Sequence, residues 1–98
     1  MFTEEISLSL MQQCLDGLQK SGMIDAQIIV KPDMPLFGEG SQLDSMGFVT
    51  FITDIEERII ELSKKDIFIV LSDIEEMYPN APVLTASMFG SYLVSITN

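Results

Sequence analysis

The chain has 98 residues, 47% of them hydrophobic, with 15 acidic against 5 basic side chains and a formal net charge of -10. That length suits one domain with one modest core, and the charge repels phosphate backbones, which argues against nucleic-acid binding and toward partners with basic surfaces. With no histidine and Cys14 as the only cysteine, the chain has no imidazole base, no internal disulfide and no ordinary Cys/His zinc site, so most hydrolase mechanisms are excluded.

The opening Met1-Phe2-Thr3-Glu4-Glu5 places no basic residue ahead of an apolar stretch, so no secretory signal or transit peptide is expected and the expected location is the cytoplasm. Ile6, Leu10, Cys14 and Leu18 then recur every four residues, with Met11 and Leu15 beside them. This is the period of an amphipathic helix over 3–20, capped by Thr3 and ended by Gly22. On that helix Cys14 reads as a small buried hydrophobe without chemistry. Between Gly22 and Asp44 runs a long connection containing Pro32, Pro35, Gly38 and Gly40, within which Gln27-Ile28-Ile29-Val30 is expected to bury itself as an extended piece. A connection of this length is either functional or conceals a short element.

Residues 45–62 read as the strongest helix, because Phe48, Ile52, Ile55, Ile59 and Leu62 step by fours and threes into one apolar stripe with Phe51 beside it. Ile67-Phe68-Ile69-Val70-Leu71 has the composition of a strand but no evident partner, and a buried extended linker is expected. Ser72 and Glu75 stand at capping-box spacing, and Pro79 stops the short helix they start. Thr85 caps a last helix carrying Met88, Phe89, Tyr92, Leu93 and Ile96, in which Gly90 costs about 1 kcal/mol relative to alanine. No apolar run reaches the roughly 18 to 20 residues that a membrane span requires. The expectation is an all-α fold: one domain over 1–98, a four-helix bundle of three longer helices and one short helix, with a long first loop.

The segment Gly38-Glu39-Gly40-Ser41-Gln42-Leu43-Asp44-Ser45-Met46-Gly47 leads from the loop into the strongest helix and delivers the Ser45 hydroxyl at a helix N-terminus. Free amides and the positive end of the helix dipole stabilise negative charge there, so a phosphodiester on Ser45 needs no dedicated basic pocket. Serine and aspartate are also good helix caps, and that role stays open for both residues. Leu43-Asp44-Ser45-Met46 resembles the Asp-Ser-Leu/Met attachment motif of the acyl carrier protein family, and the order of elements resembles that family over nearly the whole chain. The resemblance implies an acyl-carrier-like bundle that enzymes act upon and that is not itself an enzyme. It implies Ser45 as the attachment residue for 4'-phosphopantetheine and Asp44 as an aid to the transferase in positioning magnesium and coenzyme A. The implied partners are a phosphopantetheinyl transferase, an acyl- or aminoacyl-loading ligase, and acyltransferases or synthases with basic docking surfaces.

At about 100° per residue, Glu56, Val49, Ile60, Thr53, Met46 and Glu57 share the side of the helix that bears Ser45. Apolar groups among carboxylates make this a candidate docking face, while an ordinary solvated face is the plainer alternative. Thr50 and Thr53 stand where typical fatty-acid carriers place an acidic and an apolar residue, and Asp-Ser-Met-Gly also resembles D-alanyl and other aminoacyl carriers. The expected role is therefore an acyl carrier in a specialised lipid or secondary-metabolite pathway, acting as a monomer. An aminoacyl or peptidyl carrier is the alternative with the same Ser45, and an unmodified acidic adaptor is the alternative of another class. Met11, Phe48, Phe51, Ile55, Met88, Phe89 and Leu93 would line a cavity for an acyl chain if one exists, but they read more simply as core. Ser45 has no histidine to activate it and no lysine within two helical turns, which sets aside nucleophilic catalysis by this chain.

Overall fold

Thr3 starts the first helix as its position predicts: its Oγ1 accepts from the Ile6 amide at 3.2 Å, and helix α1 runs Glu4–Lys20. Glu4 and Glu5 lie at the positive end of the helix dipole and Lys20 at the negative end, which favours both. The helix closes in a Schellman turn, with the Met23 amide on the Leu18 carbonyl, the Gly22 amide on the Gln19 carbonyl, and Gly22 at φ 87°. Its buried face is Ser7, Met11, Cys14, Leu15 and Leu18. The coordinates are a computed structural model, and it describes residues 2–80 and 83–97.

The long connection holds the element that the sequence pattern concealed. Strand β1, Pro35–Gly38, pairs antiparallel with β2, Val83–Thr85, in the register Pro35↔Thr85, Phe37↔Leu84 and Gly38↔Val83. The register shifts between Pro35 and Phe37, and Leu36 at this irregularity is fully buried. The all-α expectation is thus corrected: four helices are joined by a small two-stranded sheet. The extended piece expected at 27–30 is only partly buried, with Ile28 inside and Ile29 exposed. It pairs with no strand among the described residues; the Gln12 side chain takes that place, donating to the Ile28 carbonyl at 2.9 Å and accepting from the Val30 amide at 2.8 Å. Further along, the Ala86 and Ser87 amides donate to the carbonyls of Met34 and Pro32, which ties the loop to the start of the last helix.

Helix α2, Ser45–Ser63, buries Phe48, Phe51, Ile55 and Ile59 as the stripe requires, whereas Leu62 lies exposed in its last turn. Lys64 ends it in the left-handed region at φ 59°. The linker that follows is not buried throughout: Ile67 is inside, Phe68, Val70 and Leu71 are exposed. Two side chains take the hydrogen bonds that a strand would have made. Glu56 Oε2 accepts from the Ile69 amide at 2.8 Å and Tyr92 Oη accepts from the Val70 amide at 3.1 Å. Helix α3, Leu71–Met77, begins one residue ahead of Ser72, with Val70 as its N-cap and no side-chain cap bond. The expected capping box of Ser72 and Glu75 therefore does not form.

Thr85 closes the second strand and caps helix α4, Ala86–Thr97, by accepting from the Met88 amide at 3.2 Å. α1 packs against both α2 and α4 around a core that includes Met11, Leu15, Phe51, Ile55, Phe89 and Leu93. The Cα radius of gyration is 12.6 Å, close to the roughly 13 Å typical of a folded chain of 100 residues. Where α1 crosses α4, Gly90 supplies the clearance: a Cβ there would lie 2.8 Å from Ser7 Oγ. Its cost in helix propensity is offset by this close approach.

Candidate functional site

Asp44 and Ser45 divide the work at the start of α2. The Asp44 carboxylate accepts from the Gly47 amide at 2.6 Å and its carbonyl accepts from the Phe48 amide at 2.9 Å, so Asp44 is the cap of the helix. A Cβ at position 47 would sit 3.0 Å from the capping oxygen Asp44 Oδ1, so a larger residue two positions after Ser45 would press on the cap. Ser45 is exposed, and its hydroxyl has no hydrogen-bond partner among the described residues. The amides of Ser45 and Met46 are likewise free, as first-turn donors of a helix are. A nucleophilic oxygen and two unused donors thus meet at one exposed turn.

Ser45 also lines a cleft of about 470 Å³. One wall is the first turns of α2, with Phe48 and Val49. α3 contributes Leu71, Ile74 and Glu75, followed by Tyr78. The sheet contributes Phe37, Val83 and Leu84, and α4 contributes Met88. Phe37 is held against Phe48, ring centroids 4.8 Å apart. The surroundings are predominantly apolar, and the volume is that of a small-ligand pocket. Asp44 faces a different hollow of about 330 Å³, formed with the 23–28 segment and Gln42.

No protein-family model, curated protein or solved structure matches this chain. The site therefore rests on its own geometry. Of the residues that share the serine's side of α2, Met46 is 73% and Val49 58% exposed, and Thr53 and Glu57 are exposed as well. Glu56 and Ile60 are half-buried. Glu56 is committed to the Ile69 amide and Ile60 packs on the core, so these two hold the fold together and do not extend the open face. Thr53 turns its hydroxyl back onto the Val49 carbonyl at 3.0 Å, as Thr50 does onto Met46 at 2.9 Å.

The seven residues considered for an internal cavity are mostly core. Met11, Phe51, Ile55, Phe89 and Leu93 are fully buried, and only Phe48 and Met88 border the cleft. The other lining residues were hidden for two reasons. Phe37, Val83 and Leu84 come together through pairing between segments more than forty residues apart. Leu71, Ile74, Glu75 and Tyr78 do carry a signal, the spacing of one helical face, which a helix beginning at Leu71 makes readable. Among the described residues no three Cys, Asp or Glu side chains converge as metal ligands.

The wall formed by α3 is tied to the core through Tyr92, which is 2% exposed. Burial pushes the Tyr92 phenol above its ordinary 10.0, and burial followed by the neighbouring Asp54 carboxylate pushes the Cys14 thiol above its ordinary 9.0. Both groups hold their protons more tightly in the folded state. Their contribution to stability is complete below the ordinary values and is lost as pH rises through them. The urea midpoint is expected to fall progressively above pH 9.0, and a Cys14→Ala/Tyr92→Phe variant to show a flatter profile. An equally steep decline in both proteins contradicts this assignment.

Proposed function

We propose that this chain is an acyl carrier: a cytoplasmic protein that bears 4'-phosphopantetheine on Ser45 and presents acyl groups to partner enzymes in a specialised lipid or secondary-metabolite pathway. The observation that carries the proposal is the Leu43-Asp44-Ser45-Met46 motif together with what surrounds its serine. Ser45 Oγ is exposed and unpartnered at the first turn of a helix, and it opens onto an apolar cleft. The residues fit the group. The free amides of Ser45 and Met46 and the helix dipole favour a phosphodiester at that oxygen.

In the modification step, Ser45 Oγ loses its proton and bonds to the phosphorus next to pantetheine in coenzyme A, and adenosine 3',5'-bisphosphate leaves. When bound, the group supplies a thiol that holds acyl chains as thioesters. Asp44 fixes the first turn so that Ser45 points outward, and its carboxylate retains a further oxygen for the transferase's magnesium. The cleft offers an aliphatic chain removal from water at about 25 cal/mol per Å² of apolar surface covered. Exposed Met46 and Val49 beside Glu57 give basic partner enzymes a short-range apolar contact within a negative field.

The apolar lining favours an aliphatic cargo over an aminoacyl one. An adaptor without the arm is less well supported, because Glu56 and Ile60 are engaged within the molecule. The test is intact mass after incubation with coenzyme A, magnesium and a broad-specificity phosphopantetheinyl transferase. Wild type is expected to gain one phosphopantetheine and Ser45→Ala none. A wild-type mass that stays constant beside a working control carrier refutes the proposal.

A further inference from the structure

Residues 66–78 lead out of α2 and through α3 without a backbone hydrogen bond to any other element among the described residues. Their apolar anchorage is slight: Ile67 and Ile74 are buried, whereas Phe68, Val70, Leu71 and Met77 are exposed. α3 has no side-chain cap bond, and its seven residues are too few to hold a helix by themselves. The chain enters this stretch through Lys64 in the left-handed region at φ 59° and leaves it at Tyr78, whose φ of -132° and ψ of 65° belong to neither helix nor strand.

Side chains hold the stretch in place. Glu56 Oε2, from α2, accepts from the Ile69 amide at 2.8 Å, and Tyr92 Oη, from α4, accepts from the Val70 amide at 3.1 Å. The two bonds fall on consecutive residues at the entrance to α3, of which Val70 is the N-cap. Tyr92 is itself fixed, being buried and stacked on Phe89 with ring centroids 6.3 Å apart. At the far end the Tyr78 hydroxyl donates to the Met88 carbonyl at 3.3 Å. All three bonds can open without breaking the backbone ladder of a helix. Leu71, Ile74 and Glu75 line the cleft beside Ser45, so a movement of α3 alters the cleft.

We infer that residues 66–78 form a lid on the cleft that opens as one unit while the rest of the fold stays closed, and that Glu56 and Tyr92 are its latch. A segment with few buried apolar side chains and no backbone bonds to its surroundings opens at a lower free energy than the core. Here that segment carries part of the cleft lining, so its opening equilibrium governs access. The two latch acceptors come from different helices, which ties the closed position of α3 to both α2 and α4. The device holds whatever the cleft takes up, and it stands apart from the carrier reading.

Residue-resolved amide hydrogen exchange, followed by NMR on the full chain, tests the lid. In wild type the amides of Ile69, Val70, Ile74 and Tyr78 are expected to share one measurable protection factor, at least roughly a hundredfold below that of the most protected amides of α1 and α2. Tyr92→Phe and Glu56→Ala are each expected to lower this shared value roughly tenfold, the net effect of losing one such bond. The Tyr78 amide is expected to fall with the others, although its own acceptor is the Ile74 carbonyl and neither latch side chain bonds to it. Glu57→Ala, which alters an exposed neighbour in α2, is expected to change none of them. A loss confined to Ile69 and Val70 overturns the inference, because the two bonds then act locally and no unit opens. Protection over 66–78 equal to that of α1 overturns it as well, because the segment then opens only with the whole protein. Exchange of these amides at unprotected rates in wild type shows that nothing is latched and overturns it too.

Discussion

Phe51→Ala is expected to remove about 3–5 kcal/mol of folding stability, the largest loss from a single substitution argued from this structure. Phe51 is fully buried, and its ring centroid lies 6.0 Å from that of Phe89, which in turn stacks on Tyr92 at 6.3 Å. Truncation deletes the buried ring and leaves a void that the three surrounding helices close only in part. Domains of this size are stable by about 5–15 kcal/mol, so the variant has little margin left. Equilibrium urea unfolding measures it through the midpoint at constant slope. A loss below about 1 kcal/mol contradicts a close-packed core at this position.

Gly90→Ala is the second, and here two effects of opposite sign compete. Alanine is better than glycine inside a helix by about 1 kcal/mol. Against this, the added Cβ meets Ser7 Oγ at 2.8 Å, Glu4 Cγ at 3.5 Å and Met11 Cε at 3.8 Å. Ser7 is fully buried, and its hydroxyl donates to the Glu4 carbonyl at 2.7 Å, so turning it away gives up a buried hydrogen bond. Overpacking of this sort costs about 1–3 kcal/mol, and the net result is a destabilised protein. In a Ser7→Ala background the obstruction is gone and the helix preference prevails, so the same change becomes neutral or stabilising. A double-mutant cycle in urea tests the reversal, and an identical effect of Gly90→Ala in both backgrounds refutes it.

Ser7 and Gly90 illustrate what the sequence concealed. Gly90 reads there as a helix flaw, because its justification is a contact with a residue more than eighty positions away. Periodicity worked where a helix buries one face: the spacing of Ile6, Leu10, Cys14 and Leu18 gave α1, and that of Phe48, Ile55 and Ile59 gave α2. Thr3, Asp44 and Thr85 announced helix starts because a cap is a local device. The strands Pro35–Gly38 and Val83–Thr85 carry no alternation long enough to read, and their pairing is entirely non-local. Ile67-Phe68-Ile69-Val70 has a strand's composition, yet side chains from Glu56 and Tyr92 satisfy its amides and leave it without a sheet.

The candidate site divides along the same line. Ser45 and Asp44 are legible as a motif; in the fold Asp44 caps α2 through the Gly47 amide and Ser45 is exposed in the first turn. The cleft was not legible, since its walls come from α2, α3, the sheet and α4 together. The N-cap of α3 is Val70, two residues ahead of Ser72, so Glu75 is not a capping residue and instead borders the cleft.

The most direct test of the proposed carrier function is to ask whether the protein takes up phosphopantetheine and on which residue. The wild-type protein is treated with coenzyme A, magnesium and the transferase, digested, and each serine-containing peptide is examined by tandem mass spectrometry. Phosphopantetheine on the peptide bearing Ser45, with every other serine unmodified, is the predicted result. A modification found on a different serine, or none on any peptide while a control carrier is fully converted, contradicts it.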